Sequence, residues 1–233
     1  MTGTAGSLAA RFPAALVREL ARTLSAEESA ESAVPSYTHW NPAIRWLMFR
    51  RLELIRRMAS EALAGIAARD RLLALDFGCG IGMLIPVVAP QVAELYLCDE
   101  RLAPARATAR LFAATNVVCL PPGEVGDRIT DASLDVVIAA DVLEHVDDLA
   151  AIVSTLGRKL RPGGTLIVSG PTEGRAYRLG RWIAGFSGDY HQRDVFAVED
   201  ALGRARLRRE TVRRIPVPVA FALFRITSWR RIE

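Results

Sequence analysis

Leu75-Asp76-Phe77-Gly78-Cys79-Gly80-Ile81-Gly82 is the stretch on which the fold turns. It completes a short apolar run, Leu72–Phe77, with the texture of a buried strand, and it opens into a helix. Glycine has no Cβ, so glycines at alternate positions let the backbone turn tightly and approach a ligand closely. The spacing is G-x-G-x-G, whereas the dinucleotide fingerprint is G-x-G-x-x-G. Asp76 stands two residues before the first glycine, at the strand's carboxyl end. A carboxylate there would repel a pyrophosphate, and it suits a ligand carrying an ammonium and a sulfonium. Taken alone, the loop is equally a turn that merely needs glycine.

Working outward, Leu95–Cys98, Val117–Leu120, Leu134–Ala140 and Thr165–Ser169 read as further short apolar strands. Helical patterns, notably Leu102–Ala114 and Leu149–Leu160, separate most of them. In the second, Leu149, Ile152, Val153, Leu156 and Leu160 follow helical spacing. Alternating strands and helices with fully apolar strands predict a parallel sheet covered on both faces. The chain ends differently: Leu207–Pro216 and Ala220–Trp229 are strand-like with only Val217-Pro218-Val219 between them. So short a link allows only antiparallel pairing.

Upstream, residues 1–35 read as a separate appendage, and 36–233 as the main domain. Leu8, Phe12, Leu16 and Leu20 predict one amphipathic helix, and the polar stretch Ser25 to Ser36 a linker. Asn41-Pro42 is a helix start, a capping asparagine followed by proline at the first helical position. The helix reaches about Ala67, with Ile44, Leu47, Met48, Leu52 and Ile55 on one face and an arginine-rich opposite side.

The 233 residues suit one domain with a helical extension. Cys79, Cys98 and Cys119 are scattered singly inside apolar runs, a spacing that fits neither a disulfide framework nor a zinc site and indicates a reducing compartment. No apolar run approaches the ~20 residues of a membrane span, and no signal segment is visible, so the cytoplasm is the expected location. The formal charge of +4 is too modest and dispersed for nucleic-acid binding. Lys159 is the sole lysine, a bias that genomic base composition explains.

Asp99 closes the second strand about 20 residues beyond the glycine loop, where an acid is placed to accept hydrogen bonds from both ribose hydroxyls. Its competing role is to cap the helix near Leu102; Glu100 is the neighbouring candidate. Leu134-Asp135-Val136-Val137-Ile138-Ala139-Ala140-Asp141-Val142-Leu143-Glu144-His145-Val146 reads as a buried fourth strand entering a helix. Leu160-Arg161-Pro162-Gly163-Gly164-Thr165 reads as a helix end, a Pro-Gly-Gly turn and a fifth strand.

Together these segments resemble the class I S-adenosylmethionine-dependent methyltransferases, most closely the small-molecule branch that includes ubiquinone-pathway O-methyltransferases. The resemblance runs from about Leu72 to the C-terminus. It implies a Rossmann-like, seven-stranded, mostly parallel sheet with an antiparallel last strand and helices on both faces. It also implies S-adenosylmethionine as cofactor. Asp76, Gly78, Cys79, Gly80 and Gly82 would then surround the cofactor's methionine part, Asp99 or Glu100 its ribose, and Ala140 and Asp141 its amino group and methyl. The family's usual adenine-binding acid after the third strand is missing; Glu124, Asp127 or a backbone carbonyl would substitute.

Methyl transfer needs the acceptor atom about 3–3.5 Å from the methyl carbon, and orientation with water exclusion supplies much of the acceleration. A general base is needed only where an alcohol or weakly acidic phenol must lose a proton. His145 and His191 are the catalytic candidates. His145 has a competing role as a packed residue orienting the helix start. His39 would serve only if the N-terminal segment folds over the pocket. The insert at 172–194 carries Leu179, Trp182, Ile183 and Phe186 beside Arg175, Arg178 and Arg181. It reads as a lid, or as a basic helix on a membrane surface. The helix at 41–67, with Arg45, Arg50, Arg51, Arg56 and Arg57, raises the same choice. The expected acceptor is a hydroxyl of a hydrophobic or lipid-like small molecule. A catalytically inactive binding or scaffold subunit is the alternative. A nicotinamide oxidoreductase conflicts with the loop spacing, Asp76 and the terminal hairpin. In a metal-dependent catechol-type enzyme Asp141 would be a ligand, but Ser169-Gly170-Pro171 lacks the carboxylate–amide pair, so no metal is expected.

Overall fold

The computed structural model describes residues 6–66, 71–172, 194–216 and 222–232. Its centre is a sheet of seven strands: β1 Leu73–Phe77, β2 Glu94–Cys98, β3 Val117–Leu120, β4 Leu134–Ala140, β5 Leu160–Pro171, β6 Leu207–Ile215 and β7 Phe224–Arg231. Their order is β3-β2-β1-β4-β5-β7-β6. β1 to β5 are parallel, and β7 inserts antiparallel between β5 and β6. The chain leaves β1 toward β2 and returns on its other side as β4. That reversal opens a crevice at the strands' carboxyl ends, where open α/β sheets bind ligands.

Alternate strand residues face opposite sides, so each strand feeds two cores. Ala74, Leu95, Leu97, Val136, Ile138, Ile167 and Ile226 lie in one buried cluster. Leu75, Phe77, Val137, Ala139, Leu166, Val168 and Trp229 lie in the other. The first core is covered by α1 Leu8–Arg11, α2 Ala14–Leu20, α5 Pro42–Ala64, α6 Ile85–Val88 and α7 Leu102–Leu111. Between α2 and α5 lie two short helices, α3 Ala26–Glu31 and α4 Val34–Tyr37. The second core is covered by α8 Val125–Arg128, α9 Leu149–Lys159 and α10 Val195–Arg204.

The N-terminal region departs from expectation in three ways. The single amphipathic helix is two, because Pro13 follows α1, and a proline disfavours helical backbone in the residue before it. The polar stretch from Ser25 is helical: Ser25 and Glu28 form a capping box on α3, each side chain accepting from the other's backbone N–H at 2.8 and 3.2 Å. Leu8, Phe12, Val17 and Val34 sit in the same buried cluster as the sheet, with the Phe12 ring 5.3 Å from that of Phe112. α5 starts as predicted, with the Asn41 side chain accepting from Ala43 N at 2.9 Å.

Two smaller differences concern β5 and the end of the chain. The Pro-Gly-Gly expected as a turn is a bulge inside β5: Leu134 pairs with Leu160, Val136 already with Thr165, and Gly163 takes φ +73°. The buried carboxylate of Asp135 accepts from Leu73 N at 2.8 Å and from Arg161 Nε at 2.6 Å, which ties β4 to both neighbours at this end. β7 begins at Phe224 rather than at residue 220, and the joining residues 217–221 lie outside the described ones. β6 is the edge strand, and Arg208 and Arg209 are exposed on it, a charge pattern that discourages edge-to-edge pairing. Among the described residues, no helix is long and apolar enough to cross a membrane.

Candidate cofactor and acceptor site

A cavity of about 620 Å³ opens at the carboxyl ends of β1, β2 and β4. The glycine loop forms its floor. Gly78 N and Cys79 N both donate to the carbonyl of Cys98, at 2.8 and 3.0 Å, so the loop is bonded to the end of β2. Gly78, Gly80 and Gly82 all take positive φ, at +75°, +53° and +76°. They differ in what surrounds them. A Cβ on Gly78 would strike the Val142 side chain at 2.5 Å, and one on Gly82 would strike Ile85 Cδ1 at 2.5 Å. A Cβ on Gly80 would meet only Ser32, at 3.9 Å. Gly78 and Gly80 line the cavity; Gly82 does not, and its part is to let the loop close onto α6.

Three carboxylates surround this floor. Asp76 is buried, and burial, with the nearby Asp99 charge second, pushes its pKa up to about 7. Asp99 accepts from Gly80 N at 2.8 Å through one oxygen and from Arg101 N at 3.1 Å through the other. Each carboxylate oxygen retains a second lone pair for a ligand hydroxyl. The capping role weighed from the sequence is met in part, since Arg101 is the N-cap residue of α7. Glu100 lines the cavity and is exposed. Cys79 also lines it, but burial first, then Asp76 and Asp99, raises its thiol pKa well above the ordinary value, so it serves as wall rather than nucleophile.

Asp141 closes β4 in left-handed backbone, φ +53°, a conformation uncommon outside glycine. Three bonds hold it: its N–H donates to Ser169 O at 3.0 Å, its Oδ1 accepts from Ser169 Oγ at 2.7 Å, and its Oδ2 pairs with Arg51. Arg51 is 3% exposed, donates from Nη2 to the Tyr37 hydroxyl at 2.8 Å, and lies over the Phe224 ring at 5.0 Å. Beyond Asp141 the expected direct entry into a helix is a turn, with His145 N donating to Val142 O at 3.1 Å; α9 starts only at Leu149, capped by Asp148. Ala140 and His145 line the cavity.

The N-terminal segment supplies the opposite wall through Glu28, Ser32, Ala33, Tyr37 and Arg51. Glu28, held below the usual carboxylate range by the Ser25 backbone N–H and then by Arg101, pairs across the mouth with Arg101. Glu124 and Asp127 are outside the cavity lining, whereas Pro122 is in it. His39 is outside it too; its Nδ1 accepts from Asn41 N at 3.0 Å. His191 and the insert residues 173–193 lie outside the described residues. Among the described residues, no cluster of three or more His, Cys, Asp or Glu is placed to hold a metal ion.

Sequence reasoning missed Tyr37, Ser32, Glu28 and the inward role of Arg51. Two signals were present: Ser25-x-x-Glu28 is a capping-box pattern, and Arg51 is a lone charge inside the apolar stripe of Met48, Leu52 and Ile55.

A doubly covered sheet with a glycine loop after β1, an acid closing β2 and a crevice beside β4 defines the Rossmann-like cofactor-binding domains. The chain belongs to a methyltransferase domain family, whose model matches residues 48–205. A probable S-adenosylmethionine-dependent methyltransferase of Mycolicibacterium smegmatis is 37% identical over 128 residues, 53% of this chain and 45% of that one. A ubiquinone biosynthesis O-methyltransferase of Mesorhizobium japonicum is 28% identical over 159 residues, 63% of this chain and 64% of that one. The chain thus spans roughly half the length of these curated relatives, between 45% and 64%. In fold it is similar to the N-methyltransferase NodS of Bradyrhizobium japonicum in complex with S-adenosylhomocysteine, with a TM-score of 0.62, 18% identity, and coverage of 93% of this chain and 98% of that one.

The site fits such a cofactor. Gly80 leaves the cavity floor free of a side chain, buried Asp76 offers a carboxylate to a cationic group, and Asp99 keeps acceptor capacity for a diol.

Proposed function

We propose that the chain transfers a methyl group from S-adenosylmethionine to a small-molecule acceptor, a hydroxyl of a hydrophobic or lipid-like metabolite. The observation that carries this is the convergence of Asp76, Gly80 and Asp99 on one cavity at the sheet's switch point. Bound there, S-adenosylmethionine supplies a methyl carbon activated by its sulfonium. Asp76 would hold the ammonium once ionised, Asp99 would accept from the ribose hydroxyls, and Ala140 and Asp141 would lie at the reacting end. The glycine loop and Ser32, Ala33 and Tyr37 line the same cavity and would shield part of a bound ligand from water.

O-methylation is supported by the name of the Mesorhizobium japonicum relative. A hydroxyl acceptor calls for a base. His145 lines the cavity and is proposed for that role; His191 is proposed as the alternative from its place after β5. The cytoplasm remains the proposed compartment, on the ground of three single free thiols.

Calorimetric titration with S-adenosylmethionine, S-adenosylhomocysteine and NADH tests the cofactor assignment. Micromolar binding of the first two, weakened about tenfold or more in Asp99→Ala, is the expected result; absence of binding overturns it. Labelled-methyl transfer to phenols bearing apolar chains, compared with amines, tests the acceptor. Methylation confined to amines rejects the hydroxyl, and turnover unchanged in both His145→Ala and His191→Ala rejects a histidine base.

A further inference from the structure

We propose that the surface formed by residues 38–46 docks on an anionic lipid membrane. Two of the molecule's four tryptophans stand out of the protein here, Trp40 at 82% exposure and Trp46 at 59%. An indole placed in water on a folded surface is costly unless it has an occupant, and at a membrane its apolar body and N–H suit the headgroup boundary. The surroundings choose the occupant. From Tyr37 to Leu52 the sequence holds three arginines and no acid. Arg51 turns inward to Asp141, while Arg45 and Arg50 remain on the outer side of α5 only partly buried.

The turn before α5 is gripped by arginines whose bonds here go to neutral groups. Arg18 Nη2 donates to Thr38 O at 3.2 Å, and Arg45 Nη1 donates to His39 O and, at 3.1 Å, to Trp40 O. Backbone carbonyls fix these guanidinium groups without cancelling their charge, so positive charge is held beside the two indoles. Two exposed aromatics on a turn bound by Arg18 and Arg45 match an anionic interface, where each basic residue adds attraction and each indole adds apolar contact. A second copy of the same face would set like charges against each other.

Position gives the surface a purpose. Tyr37 and Arg51, which wall the cavity, lie three residues before Trp40 and five after Trp46. Docking through these residues would hold the Tyr37 and Arg51 wall of the cavity close to the lipid. This purpose rests on the lipid-like acceptor proposed above; the docking itself does not.

The test is co-sedimentation of the full chain with vesicles of phosphatidylglycerol and phosphatidylcholine, against vesicles of phosphatidylcholine alone. Pelleting with the anionic vesicles, weakened by salt and reduced about tenfold in the double variant Trp40→Ser/Trp46→Ser, is expected. Arg50→Glu should reduce it as well. Absence of pelleting, or equal pelleting of the double variant, overturns the proposal. So does a wild-type dimer that the double variant converts to monomer, which would make the face a contact between copies. Calorimetry with S-adenosylhomocysteine on the same variants keeps the two proposals apart, since unchanged affinity shows an intact cofactor site whatever the vesicles report.

Discussion

Gly80 donates its backbone N–H to Asp99 Oδ2 over 2.8 Å, which makes the glycine loop and the acid closing β2 one preformed edge of the cavity. Asp99 therefore has two tasks, shaping the loop and receiving the ligand. Asp99→Ala removes both. A hydrogen bond to a charged group is worth about 1.5–3 kcal/mol. Affinity for S-adenosylhomocysteine should fall by about ten- to a hundredfold or more in calorimetry, and Asp99→Asn, which keeps one acceptor oxygen, should lose less.

The three loop glycines should not respond alike to substitution. Gly78→Ala meets both a positive φ and the stiff Val142 side chain, whose Cβ would lie 2.5 Å away, so it should cost about 2–5 kcal/mol in chemical denaturation. At Gly82 the end of the Ile85 side chain can turn aside, and the cost should be smaller. Gly80→Ala has the φ penalty without the clash and should cost about 1–2 kcal/mol. Its effect should be felt more in ligand binding, because its methyl group enters the cavity floor.

Asp76 makes the empty protein sensitive to pH. Its pKa is raised to about 7, well above the ordinary aspartate range, so between that range and about 7 the folded chain holds a proton that the unfolded chain has released. That contribution to stability is fully present at low pH and is lost as pH rises through about 7. A cationic ligand prefers the ionised form, so affinity for S-adenosylmethionine should rise across the same window. Denaturation and calorimetry from pH 5.5 to 8.5 should find both slopes flattened in Asp76→Asn.

Arg51→Ala should destabilise the chain by about 3–5 kcal/mol, because it strands the Asp141 carboxylate and the Tyr37 hydroxyl at a largely buried site. Arg51→Met with Asp141→Asn removes both charges and should recover much of that loss. Thermal and chemical melts of the two variants check the expectation. Equal melts of both would assign the effect instead to the guanidinium contacts with the Tyr37 hydroxyl and the Phe224 ring, which neither variant keeps.

The sheet was legible because its strands are continuous apolar runs and its terminal link is too short for a crossover. The glycine loop, Asp76 and Asp99 were legible because they sit at fixed offsets from strand ends. What escaped was held by contacts distant in sequence. Arg51 finds Asp141 ninety residues along the chain, and Glu28 finds Arg101 across the cavity mouth. No local period announces such pairs. The β5 bulge was hidden for another reason: Pro-Gly-Gly is turn chemistry, and only the pairing of Leu160 with Leu134 carries the strand through it. Pro13, by contrast, was visible and outweighed by a four-residue repeat.

Leu8, Phe12 and Val17, each 1% exposed or less, give the first twenty residues a bearing on how the molecule is handled. A fragment begun at residue 36 would be a methyltransferase domain on paper and a sticky one in solution. It would carry an oily wall where three short helices used to sit, and a cavity with one side missing. Trimming from this end erodes solubility and ligand grip together, so the two losses would arrive as a single defect.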